Sequence, residues 1–176
     1  MTGVMAAVAL LASPLPMSAR QQAPSPPPWP CQDDDTHREF DFWIGTWDVF
    51  VSGRQAGVNV IEPMLGGCVL LENWTNARDR GGKSFNWIDR STFAEPRWRQ
   101  LWVDDGGNTL DYYDGHFADG AMRFRGHTFD AAGDSVPQKL TFHAVHPDTV
   151  RQVFEQSNDG GATWVVTFDG LYVKRR

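Results

Sequence analysis

Basic residues are scarce in this chain: 16 Lys and Arg stand against 22 Asp and Glu, a formal charge of −6 over 176 residues. That balance has the wrong sign for coating nucleic acid or an anionic lipid surface, so neither is an expected partner. Long hydrophobic runs are missing too. The best of them, Val4 to Ala12, covers about half of the roughly 20 residues that a membrane-crossing helix needs, and no membrane span is expected. Common catalytic signatures are also absent: there is no G-x-S-x-G elbow, no H-E-x-x-H, no phosphate-cradling glycine loop and no C-x-x-C. The histidines do not gather into a ligand set. His143 and His146 are three apart, which puts them on opposite faces of a strand, and His116 and His127 fall on separate predicted strands. No metal site is expected.

Cysteine is nearly absent, with Cys31 and Cys68 the only two. The opening MTGVMAAVALLASPLPMSA has an apolar run followed by small residues, and it reads as a signal peptide over residues 1–19, although no Lys or Arg precedes the run. A Pro-rich stretch, QQAPSPPPWP, makes residues 20–36 an expected extended tether, leaving 37–176 as one folded domain. A periplasmic or secreted location follows. In an exported chain two cysteines permit one pairing, so a Cys31–Cys68 disulfide is expected, the alternative being two unrelated thiols.

What the chain has in quantity is β-former: Val, Trp, Phe, Tyr and Thr in short segments broken by Gly, Asp and Asn. Strands are predicted near 43–52, 56–64, 67–76, 83–91, 97–104, 108–117, 120–128, 137–145, 149–157 and 163–174. A meander of this length must close or leave exposed edges, so the expected fold is all-β, an antiparallel up-and-down barrel of about 8–10 strands. No repeat of blade length argues for a propeller.

The segment HREFDFWIGTWDVFV, His37 to Val51, places a short helical turn ahead of Gly45-Thr46-Trp47 at the start of strand one. It resembles the G-x-W signature of the calycins, the lipocalin, fatty-acid-binding and nitrobindin types of barrel. The nearest likeness is to a bacterial group of exported calycin-like proteins with an FDFWIGTWDV-type start, from which no activity follows. The resemblance implies that Trp47 plugs one barrel end under the short helix and that a basic residue of the final LYVKRR, Lys174 or Arg175, lies across its indole. Nitrobindin-type haem is not expected, because the last strand, WVVTFDGLYVKRR, has no histidine to act as axial ligand; no cofactor is expected. SNDGGATW, Ser157 to Trp164, resembles the Asp-box of sialidase-type propellers. With one copy present, it reads as a hairpin in which Asp159 bonds the turn amides and Trp164 packs beneath.

Strand parity selects what faces the interior. On RWRQLWVDD, Trp98, Gln100, Trp102 and Asp104 share a face, and the same logic groups Glu72 with Trp74, Ser84 with Asn86, Asp111 with Tyr113, Met122 with Phe124 and Gln152 with Phe154. The leading expectation is a noncatalytic barrel binding a small apolar or amphipathic molecule, with Trp74, Trp98 and Trp102 as walls and Glu72, Asn86 and Gln100 as polar groups. One alternative is an enzyme of cyclase or isomerase type using Glu72 or Asp104, with Asp111 and Asp114 as a second pair considered. The other is a filled barrel acting through its surface as an envelope accessory protein. Nothing in the sequence indicates an oligomeric state.

Overall fold

A closed ring of ten antiparallel strands forms the domain, in the computed structural model that describes Cys31, residues 33–91 and residues 94–176. The expected signal peptide and most of the expected tether lie outside the described residues. The strands are β1 (Gly45–Val51), β2 (Arg54–Met64), β3 (Val69–Asn76), β4 (Gly81–Asp89), β5 (Arg97–Asp104), β6 (Thr109–Ala118), β7 (Ala121–Phe129), β8 (Ser135–His146), β9 (Thr149–Gln156) and β10 (Val165–Lys174). Each pairs with the next, and β1 closes on β10 with Trp47 opposite Lys174. The meander therefore has no free edge to protect. This is the expected up-and-down barrel, and its architecture is compatible with a calycin-like fold.

Before β1 the chain makes a short helix, α1 (Asp35–Arg38), and a 3-10 turn over Asp41–Trp43. Asp34 caps α1 by accepting from the Thr36 amide at 2.9 Å, satisfying a backbone donor that the first turn leaves orphaned. Strand one consequently starts at Gly45, two residues later than predicted. Trp43 belongs instead to the plug at this end.

That plug is aromatic. Phe40 stacks on Trp43 at 5.0 Å between ring centres, Trp43 meets Phe142 at 4.5 Å, and Phe40 lies edge-on to Trp98 at 5.6 Å. Trp47 is fully buried beside them, its indole Nε1 donating to the Trp43 carbonyl at 2.8 Å. At about 1.5–3 kcal/mol for each large apolar side chain removed from water, this cluster supplies a substantial part of the core. Lys174 Nζ sits 5.2 Å from the centre of the Trp47 ring, whereas Arg175 turns outward to Asp48 at 2.6 Å. Gly45 explains the G-x-W spacing: a Cβ there would come within 2.8 Å of Lys174 Cε, and its φ of +143° suits only glycine.

The Cys31–Cys68 disulfide closes the same end, joining the segment ahead of α1 to the β2–β3 connection across a sequence separation of 37. No described helix is long and apolar enough to cross a membrane. At the opposite end lie the five odd-to-even hairpins, among them the β9–β10 turn. Here Asp159 accepts from the Thr163 amide at 2.8 Å and from its hydroxyl at 2.6 Å, while the Ser157 hydroxyl accepts from the Gly161 amide at 2.7 Å. The Thr163 hydroxyl and amide, with the Ser157 hydroxyl, hold the exposed Asp159 carboxyl down at about 2. Lys139 Nζ lies 3.7 Å over the Trp164 ring, so this turn is stapled to β8.

Candidate functional site

Three strands carry the same short pattern, a polar residue followed two positions later by an aromatic one: Glu72 and Trp74 on β3, Gln100 and Trp102 on β5, Gln152 and Phe154 on β9. Because alternate residues of a strand share a face, each pair points inward, with the aromatic member nearer the hairpin end. They border a cavity of about 240 Å³, completed by Leu110, Tyr112, Phe168 and Tyr172. Its walls are half-buried aromatics at the mouth. Its floor is made of buried Glu72, Gln100, Gln152, Tyr112 and Tyr172. The barrel is filled at the Trp47 end and hollow at the other.

The floor is a directed hydrogen-bond network. Gln100 Nε2 donates to Asn86 Oδ1 at 2.7 Å, Asn86 Nδ2 donates to the Ser84 hydroxyl at 2.9 Å and to the Leu70 carbonyl at 3.2 Å, and Ser84 donates to Glu72 Oε2 at 2.6 Å. Asn59 Nδ2 supplies the other Glu72 oxygen at 2.6 Å. Tyr172 donates to Gln152 Oε1, and Tyr112 to Gln138 Oε1 at 3.0 Å. Burial pushes the Glu72 carboxyl up from 4.5 to about 7, against the pull of the Ser84 and Asn59 hydrogen bonds. Burial likewise raises both tyrosine hydroxyls well above their ordinary range.

Of the residues expected to contact a ligand, Glu72, Trp74, Gln100 and Trp102 meet around the cavity. Asn86 and Trp98 do not border it. Asn86 is fully buried in the network that holds Gln100, and Trp98 lies in the plug with its Nε1 donating to Glu39 Oε2 at 3.1 Å. Asp104 is no cavity acid: it closes its own turn by accepting from the Gly106 and Asn108 amides, each at 2.9 Å. The Glu72–Asp104 pair of the alternative enzyme reading is therefore not assembled. Asp111 faces outward to Arg99 at 2.6 Å, and Asp114 lies beside Arg97 at 3.4 Å.

Pairing Asp111 with Tyr113 chose the wrong face of β6. Tyr112, not Tyr113, points inward, and the strand changes phase at a bulge between Tyr113 and His116 where Asp114 takes a φ of +52°. Leu110, Tyr112, Phe168 and Tyr172 were missed as lining residues. The Gly170 spacing between Phe168 and Tyr172 was the available signal, since a Cβ at Gly170 would meet the Phe168 ring at 2.6 Å. The wall at Trp102 has the same device: a Cβ on Gly82 would come within 2.7 Å of its Cη2.

None of the described residues bordering the cavity is His, Cys or Met, its two tyrosine hydroxyls are kept protonated by burial and hydrogen-bonded to Gln138 and Gln152, and 240 Å³ lies below the usual range for drug-sized ligands. Cys31, His37 and Cys68 approach one another within 4.8 Å, but both sulfurs are committed to the disulfide. Fold and cavity together define a closed ten-stranded barrel with an aromatic chamber at one end. Comparison with protein-family models and with curated proteins finds no match.

Proposed function

We propose that this barrel is an exported binding protein for a small amphipathic molecule, held with its apolar body between Trp74 and Trp102 and its polar end on the chamber floor. The cavity carries the reading. An apolar cavity of about 150 Å³ accommodates a benzene ring, so 240 Å³ leaves room for a ring and a short tail. Export is supported by the leader sequence and by a disulfide, which persists in oxidising compartments.

The test is native mass spectrometry of the mature protein, with calorimetric titration of 2-phenylethanol as a neutral probe. A stoichiometric small-molecule adduct, or saturable 1:1 binding at submillimolar concentration that weakens on Trp102→Leu, is the expected result. A clean apo mass together with no probe binding would overturn it.

A second reading has one observation in its favour, a buried carboxyl poised near neutral pH, which suits a general acid or base in isomerase- or cyclase-type chemistry. Incubating the protein with its extracted ligand separates the two: unchanged ligand after many hours means binding, and an isomerised or cyclised product means catalysis.

A further inference from the structure

Resting on the binding reading above, we infer that the molecule taken by this chamber carries a protonated amine or amidine, seated against Glu72 and Gln100. The argument starts from the direction of the floor network. Asn86 is oriented by three contacts: it donates to the Leu70 carbonyl and to Ser84, and it accepts from Gln100 Nε2. Since Ser84 Oγ already accepts from Asn86, its own proton goes to Glu72 Oε2. Asn59 donates to Oε1. Every hydrogen bond in the chain runs toward Glu72, the arrangement that stabilises a carboxylate as acceptor. Gln100 gives one Nε2 proton to Asn86 and keeps Oε1 as an acceptor beside its second N–H, so the floor offers acceptors at both Glu72 and Gln100.

The rest of the lining points to the same chemistry. Among the described residues Glu72 is the one ionisable carboxyl bordering the cavity, and no Lys, Arg or His borders it, so an acidic amphiphile would meet a carboxyl and find no cation. Tryptophan, tyrosine and phenylalanine rings surround the space, and their faces attract cations. The net charge of −6 adds a long-range attraction of the same sign preference. A buried carboxylate below an aromatic wall selects a compact organic cation with N–H donors.

The groups facing Glu72 leave it as the one that titrates near neutrality. They are Asn59 on β2, Ser84 on β4, Gln100 on β5, Tyr112 on β6, Gln152 on β9 and Tyr172 on β10, and burial keeps both tyrosines protonated.

The experiment is calorimetric titration of the folded, oxidised protein with three probes of matched shape, 2-phenylethylamine, 2-phenylethanol and 3-phenylpropionate, near pH 8 and near pH 5.5. The amine should bind at least tenfold tighter than the alcohol near pH 8, and the acid should not bind measurably. Between the two pH values the amine should weaken by about thirtyfold as Glu72 takes up its proton, while the alcohol stays constant. Glu72→Gln should remove the preference for the amine and keep the alcohol; the wild-type pH series carries the test if that variant fails to fold. Equal affinity for amine and alcohol, or tighter binding of the acid, overturns the inference and leaves the cavity reading standing. Failure of all three probes at both pH values overturns the inference, and with a clean apo mass it overturns the binding reading as well.

Discussion

Replacing Glu72 by Gln should make the folded barrel less sensitive to pH, and the size of the effect follows from burial. The wild-type carboxyl is raised from 4.5 to about 7 in the folded protein. At roughly 1.4 kcal/mol per unit, that shift corresponds to about 3 kcal/mol. The sign is set by which state holds the proton. Below pH 4 both folded and unfolded chains hold it, and Glu72 contributes nothing. Between about 4.5 and 7 the unfolded chain has released a proton that the folded one keeps, so wild-type stability falls as pH rises. Above 7 the loss is complete and the curve flattens. The amide substitute cannot titrate. It also fits: Asn59 Oδ1 has no partner, so turning the Asn59 amide over gives the new Nε2 an acceptor. Urea unfolding followed by tryptophan fluorescence, with the disulfide intact, should therefore show the variant close to wild type at pH 4 and gaining on it by about 3 kcal/mol by pH 8. Contributions from the other carboxylates cancel in that difference. Parallel stability curves from pH 4 to 8 would refute the desolvation argument.

Reducing the Cys31–Cys68 bond, or replacing both cysteines by Ser, should lower unfolding stability by about 4 kcal/mol on loop-closure arithmetic for a separation of 37 residues, read from urea curves with and without reductant. Gly45→Ala and Lys174→Ala should be non-additive: the added methyl would strike Lys174 Cε, so part of its cost disappears once that side chain is truncated, as a double-mutant cycle would register. Additive effects would mean that backbone strain at Gly45 alone accounts for the cost. Asp159→Ala should lower the melting temperature at pH 6, and the gap should close as pH falls through about 2, where the wild-type carboxyl also loses its charge; a gap unchanged at low pH would show that hydrogen bonding to a charged Asp159 does not hold the turn.

Much of the architecture lies open in the sequence because it depends on local alternation. Val, Trp and Phe at every second position between Gly and Asp turns dictate strands, and a meander with nothing to cover its edges dictates closure. The same parity brings Glu72 to Trp74 and Gln100 to Trp102, and G-x-W at the head of strand one places Trp47 under the helix. Parity alone does not say how deep a residue sits along the barrel axis. Trp98 and Trp102 share a face of β5, yet one is buried in the plug under Phe40 and the other stands at the mouth of the cavity, because the aromatic residues ahead of β1 fill only one end. Parity also leaves open which face of a strand turns inward: pairing with β5 sets Tyr112 opposite Gln100 and Leu110 opposite Trp102, so Tyr112 and not Tyr113 lines the cavity. Whether Lys174 or Arg175 crosses Trp47 was likewise open until β1 closed on β10 in a fixed register, with Trp47 opposite Lys174. The pattern of side chains determined the strands and their faces; the closure of the ring decided which of those faces pack against one another and which enclose space.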